Sequence, residues 1–231
     1  MCSQPLCQRG GARSWRTDCI KRAVTRLGHA LAFANQLHEH QKRKVSGVPF
    51  IAHPLAVTAL VIEDGGSEEE AMAAVLHDTI EDQGQHYPGG PAALRREIEK
   101  RFGGSVLRLV EGLTERRYPE EADITDKNQR WRAHKLAYLR QVADAGPGAC
   151  RISCADSLHN VRTLIRDYRR MGERIWERFL TRSRDDQVWA YSTAAAMYQR
   201  LGIGPMAEEL AGAVSELEKP GGLEYEPELD G

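Results

Sequence analysis

The sequence predicts an all-α protein, a single compact domain of about ten helices. Three observations point there. Apolar residues repeat at helical spacing in one segment after another, as with Met72, Leu76 and Ile80. Glycine and proline clusters such as Asp64-Gly65-Gly66 and Asp144 to Gly148 separate those segments. No stretch reads as a convincing strand, and there is neither a glycine-rich phosphate loop nor an internal repeat.

Taken in order, residues 1–16 read as a flexible lead rich in Gly, Ser, Gln and Arg, and the domain occupies 17–219. A first helix opens at Asp18, a suitable cap, and keeps Ile20, Val24, Leu27, Leu31, Ala34 and Leu37 in helical register. Ser46-Gly47 and Pro49 break it, and Pro54 starts the next helix just after His53, which ends at Asp64-Gly65-Gly66. Ser67 followed by Glu70 is a capping-box pattern that opens the helix carrying Ala71 to Asp82. Along it His77 and Glu81 are one turn apart, and so are Asp78 and Asp82. Four groups able to bind metal or move protons therefore share one helix end, flush against an apolar stripe.

Gln83 to Pro91 is a loop, suited to cover a small-molecule site or to serve as a plain connector. Helices are expected over 92–102, from Val106 through Leu113, and over 131–143, with a charged, exposed excursion at 115–130. Cys150 to Tyr168 presents the apolar face Ile152, Ala155, Leu158, Val161 and Ile165. Asp156, Asn160 and Thr163 form a second stripe at i, i+4 and i+7. An acid, an amide and a hydroxyl in that position are costly to bury without a ligand or partners. A segment from Gly172 to Phe179, helices over 185–201 and 206–217, and an acidic, disordered tail at 220–231 complete the chain.

The totals narrow the function classes. A chain of 231 residues can bury a sizeable core, and a formal charge of −1 from 32 basic and 33 acidic residues calls for no nucleic-acid partner. No apolar run is long enough to span a membrane, and the Arg-rich start lacks the apolar centre of a secretory signal. Cys2, Cys7, Cys19, Cys150 and Cys154 are odd in number without a repeated CxxC, which suggests reduced thiols and a cytoplasmic location. A homo-oligomer stays open.

His53, His77, Asp78 and Asp156 are two imidazoles and two carboxylates from three helices. This mixed N/O set suits Mn, Fe or Zn better than Ca or Mg, and without a thiolate it favours a site that keeps room for water. A divalent ion there makes phosphoester hydrolysis the natural reaction class. The same four residues resemble the HD phosphohydrolase superfamily. HQKRKVSGVPFIAHPLAV, AAVLHDTIED, FGGSVLRLVEGLTE and ISCADSLHNVRTL, in that order, are similar to the hydrolase domain of RelA/SpoT-type alarmone enzymes.

That resemblance implies a Mn²⁺ ion held by His53, His77, Asp78 and Asp156, with Fe or Zn as alternatives. It marks Glu81 and Asp82 as the pair that positions or activates the attacking water, a role carboxylates one turn from the ligands can fill. It also implies that Arg43, Lys44, Ser46 and Asn160 meet a guanine-nucleotide alarmone, with Thr163 on the same stripe. His159 reads as a support or structural residue rather than a ligand. Ser157, Gln83 and Phe50 depart from the residues common in the family. The expected activity is removal of the 3′-pyrophosphate of (p)ppGpp by a single-domain alarmone hydrolase without a synthetase domain. Two readings compete: an HD hydrolase of (p)ppApp or NADPH, and a nucleotide-binding regulatory or antitoxin-like HD protein.

Overall fold

A computed structural model describes residues 25–116 and 123–219. The expected lead, the Asp18 cap with Ile20 and Val24, the acidic tail, Cys2, Cys7 and Cys19, and the middle of the 115–130 excursion lie outside them. Among the described residues there are nine α-helices and no strand, only an isolated antiparallel bridge between Lys42 and Pro49. In chain order they are α1 (Arg26–Leu37), α2 (Ala52–Glu63), α3 (Glu68–Leu76), α4 (Gly90–Phe102), α5 (Gly104–Leu113), α6 (Lys127–Asp144), α7 (Pro147–Met171), α8 (Arg184–Arg200) and α9 (Gly204–Glu218). The all-α expectation holds.

Helix α3 is the centre. Its capping box forms as read: Ser67 Oγ accepts from the Glu70 N–H at 3.2 Å, and Glu70 Oε2 accepts from the Ser67 N–H at 2.6 Å. Every residue from Ala71 to Leu76 is buried, not only the Met72 and Leu76 stripe. Ala71, Ala73 and Ala74 let neighbours approach closely on all sides, and α3 packs against α1, α2, α5 and α7. Helix α7 is the second spine. It runs 25 residues and buries Ile152, Ala155, Leu158 and Val161 among α2, α5, α6, α8 and α9.

Several boundaries differ from the sequence expectation, as with Lys127 and Pro147 opening α6 and α7 earlier than expected, and two have a clear local reason. Helix α1 has its cap at Thr25, whose Oγ1 accepts from the Gly28 N–H at 3.1 Å. The helix through Asp82 is not one regular α-helix either. It ends at Leu76, and Thr79–Gln83 form a π turn. The cause is side-chain competition for carbonyls: Thr79 Oγ1 donates to Leu76 O at 2.6 Å, and His77 Nδ1 bonds Ala74 O at 2.7 Å. Gly84 closes the turn where a Cβ would stand 2.4 Å from Ile80 O. A π turn at this point re-aims the residues after His77-Asp78, a use such turns often serve at functional sites.

Between α1 and α2 the loop is tied by Arg43 N–H to Val48 O at 2.9 Å and Phe50 N–H to Gln41 O at 2.9 Å. Gly47 takes φ +70° at its tip, a conformation side-chain-bearing residues rarely adopt. The loop thereby presents Arg43, Lys44 and Ser46 toward α7.

Candidate metal centre and its cleft

His53 stands in the first turn of α2, His77 and Asp78 follow the end of α3, and Asp156 lies midway along α7. Burial leaves His53 only 2% and His77 only 5% exposed, so the imidazoles are held by the core. Their Nε2 atoms converge on the two carboxylates. His53 Nε2 is 3.0 Å from Asp156 Oδ1 and 3.6 Å from Asp78 Oδ2. His77 Nε2 is 3.0 Å from Asp78 Oδ2 and 3.8 Å from Asp156 Oδ1. His53, His77 and Asp156 form a group whose ligand atoms all lie within 4.8 Å of one another.

This set fits a divalent ion. Ligand atoms about 2.1 Å from one ion and at right angles to each other lie roughly 3 Å apart, near the spacings found. The tautomers fit as well. His77 Nδ1 is bound to the Ala74 carbonyl, so a proton sits there and Nε2 is the nitrogen left to meet an ion once its own proton departs. That Nε2 is buried without a hydrogen-bond partner despite the nearby Asp78 oxygen, which an ion would resolve. His53 Nδ1 lies 2.7 Å from His159 Nδ1. Burial, then His53 and Arg43, press the His159 pKa down to about 4, so His159 stays neutral, and with an ion on His53 Nε2 the His53 Nδ1–H would donate to it. Burial works against a proton on His77, but Asp78 and Asp156 outweigh it and raise its pKa to about 9. A cation or a proton is needed among these carboxylates.

The structure brings the substrate-side residues together too. Arg43 Nη2 donates to Asn160 Oδ1 at 2.9 Å, and Asn160 Nδ2 donates to Asp156 Oδ1 at 2.7 Å. The Arg43 guanidinium also lies 6.0 Å from the centre of the Phe50 ring. A cavity of about 370 Å³ is lined by Arg43, Lys44, Ser46, Asn160 and Thr163 together with Asp78 and Asp82. A second cavity, about 430 Å³, holds His77, Asp78 and Asp156 beside Glu81, Glu115 and Lys135. Lys44, Asp78, Asn160 and Tyr191 line both, so the two lobes meet at the cluster.

The adjacent Glu81 and Asp82 therefore face different lobes. Glu81 keeps part of its surface open to the cleft, yet crowding around its carboxylate, followed by the charge of Glu115, raises its pKa to about 7. Its Oε2 accepts from the Glu115 N–H at 3.2 Å. Glu115 in turn bonds Lys135 at 2.5 Å and His134 at 3.0 Å. Asp82 Oδ2 accepts from Gln41 Nε2 at 2.7 Å, and burial followed by Asp78 raises its pKa. Gln41, Glu115 and Lys135 escaped the sequence reading. Gln41 precedes the noticed basic run and Glu115 closes the LTE run, but neither carries a spacing signal of its own.

An all-helical domain with an adjacent His-Asp pair set against a histidine and an aspartate from other helices is a helical scaffold whose side chains could hold a metal ion. Residues 30–187 match the HD domain model. The chain belongs to the HD-domain family. It is 33% identical over 186 residues to the GTP pyrophosphokinase rsh of Brucella melitensis, covering 80% of this chain and 21% of that one. It is 36% identical over 138 residues to the guanosine-3′,5′-bis(diphosphate) 3′-pyrophosphohydrolase of Aquifex aeolicus, covering 60% of this chain and 18% of that one. The chain thus spans about a fifth of the length of these curated relatives. Among solved structures, a metazoan ortholog of SpoT that hydrolyzes ppGpp superposes with a TM-score of 0.57 at 21% identity, over 85% of this chain and 96% of that one. The lmo0812 structure from Listeria monocytogenes gives 0.57 at 24% identity, over 75% and 100%. These two likenesses are of fold.

Proposed function

We propose that the protein is a metal-dependent pyrophosphohydrolase that removes the 3′-pyrophosphate of a guanosine alarmone, leaving GDP or GTP. The observation that carries this reading is the convergence of His53, His77, Asp78 and Asp156 between two lobes, with an unshared carboxylate facing each lobe. The name of the Aquifex relative supplies the substrate class.

His53, His77, Asp78 and Asp156 would hold the ion; the N/O set suits Mn²⁺, Fe or Zn, and the family resemblance favours Mn²⁺ among them. Such an ion neutralises phosphate charge and lowers the pKa of water when bound. Arg43 stacks against the base and Lys44 meets phosphate, while Ser46, Asn160 and Thr163 line the nucleoside lobe. Glu81, with a pKa near the working pH, takes the proton of the attacking water. Asp82 orients that water from the other lobe. Water adds to the phosphorus on the 3′ oxygen, the bond between them breaks, and the 3′ oxygen leaves as a hydroxyl with the proton that Glu81 took from the water.

Among the described residues no helix is long and apolar enough to cross a membrane. The free, buried thiols of Cys150 and Cys154 fit the cytoplasm as the working compartment.

The test is product analysis with ppGpp, ppApp and NADPH, each with Mn²⁺ and with EDTA. Metal-dependent release of pyrophosphate from ppGpp ahead of the other two is expected. Preference for ppApp or NADPH changes the substrate and keeps the mechanism, and tight binding without turnover of any substrate overturns the enzyme reading in favour of a regulatory one.

A further inference from the structure

Gln41 is the hub of a polar network that touches no candidate ligand directly. Its Oε1 lies 2.6 Å from His38 Nδ1 and accepts from Gln83 Nε2 at 2.5 Å, while its Nε2 donates to Asp82 Oδ2 at 2.7 Å. An oxygen can only accept, so both His38 and Gln83 act as donors to it. Two donors on one end of the amide and a carboxylate on the other fix which end is which. A flipped amide would set N–H against N–H on one side and oxygen against carboxylate on the other. His38 is itself 2% exposed, which anchors the network to the core. Gln41 and Asp82 both line the nucleoside lobe, so the network ends at the cleft rather than inside the packing.

The π turn makes this arrangement reachable. It carries both Asp82 and Gln83, and so turns one carboxylate and one amide of the same segment toward Gln41 on the α1–α2 loop. Gln83, one of the positions that depart from the family resemblance, supplies the long amide donor that reaches Gln41.

We infer that Gln41 is a positioning residue for Asp82, and that Gln83 and His38 are the lock that holds its amide with the N–H toward that carboxylate. The inference rests on Asp82 acting on the water, as proposed above. A carboxylate that accepts a fixed N–H keeps one oxygen engaged and aims the other, so the network sets the direction from which Asp82 can orient a water molecule. Gln41 itself needs no contact with substrate to do this.

The decisive variant is Gln41→Glu, equal in shape but with an acceptor where Asp82 needs a donor. Its kcat on ppGpp is expected to fall about 10- to 100-fold, with KM within about twofold, metal content equal to wild type and the protein still folded at the assay temperature. Gln83→Leu, which leaves His38 as the one donor on Oε1, should show the same split with a smaller loss. Wild-type kcat in Gln41→Glu overturns the inference, and so does a loss matched by an equal rise in KM or by loss of metal. A measurement independent of turnover separates this inference from the functional reading. The Gln41 side-chain amide protons, followed by NMR, should exchange slowly with water in the wild type and fast in Asp82→Ala. Exchange in the wild type as fast as in surface glutamines overturns the positioning role. A wild type without turnover instead sinks the alarmone reading, and the amide protons still decide this one.

Discussion

Replacing His159 with leucine removes the acceptor for His53 Nδ1–H, the 2.7 Å contact that holds the most buried imidazole of the cluster. His53 is 2% exposed, so no bulk water takes over that proton. The ring then either keeps an unsatisfied N–H or shifts its proton to Nε2, the atom aimed at Asp156 and Asp78. Either result weakens the hold on an ion. Supporting partners of ligand histidines are worth about 10- to 100-fold in metal affinity, or roughly 1.4–2.7 kcal/mol. The assay is competitive titration of metal-free protein with Mn²⁺ against a chelating dye. His159→Leu should bind 10- to 100-fold more weakly, and His159→Gln, which restores an acceptor carbonyl, should recover part of the loss. Unchanged affinity in His159→Leu would refute the tautomer argument and free His159 from any role in the site.

Other outcomes follow from the same geometry. His77→Ala or Asp78→Ala should remove both bound metal and turnover, whereas Glu81→Gln should keep the metal and lose turnover; metal analysis alongside rate measurement checks the division, and loss of metal in Glu81→Gln would break it. The water-activating carboxylate must be ionised, so kcat should rise with pH through about 7, the value to which burial and Glu115 raise Glu81. Glu115→Gln keeps the backbone N–H on Glu81 but removes the neighbouring charge, so this limb should move to lower pH in the pH–rate profile; a limb that stays put contradicts the assignment. Metal affinity should climb as pH approaches about 9, since a proton held on His77 by Asp78 and Asp156 must leave when the ion binds. Calorimetry in buffers of different ionisation heat would detect that proton, and pH-independent affinity would deny it.

Much of this was legible in the residues because it rests on local spacing. The capping box at Ser67 and Glu70, the stops at Gly65 and Gly103, and the Asp156–Asn160–Thr163 stripe all follow from helical periodicity, and all stand in the structure. What periodicity could not supply is the departure from it. The π turn arises from side-chain bonds of His77 and Thr79 to nearby carbonyls, and a 3.6-residue template assigns Glu81 and Asp82 to parallel tracks when they face separate lobes. Partnerships across long chain separations were equally silent. Gln41 with Asp82, and Glu115 with Lys135, are set by how α1, α5 and α6 pack, and polar residues of those types on their own read as ordinary solvated groups. His159 shows the boundary most clearly. Leu158 beside it takes the core face, and only the packing of α7 on α2 reveals that His159 lies against His53 Nδ1.

The most direct measurement is the rate of pyrophosphate release from ppGpp as Mn²⁺ is added stepwise to metal-free protein, run in parallel for the wild type and Asp156→Ala. The account predicts activity that grows from zero and reaches its plateau at one ion per chain, with no activity in Asp156→Ala at any addition. Turnover without metal, or wild-type turnover in Asp156→Ala, would contradict it.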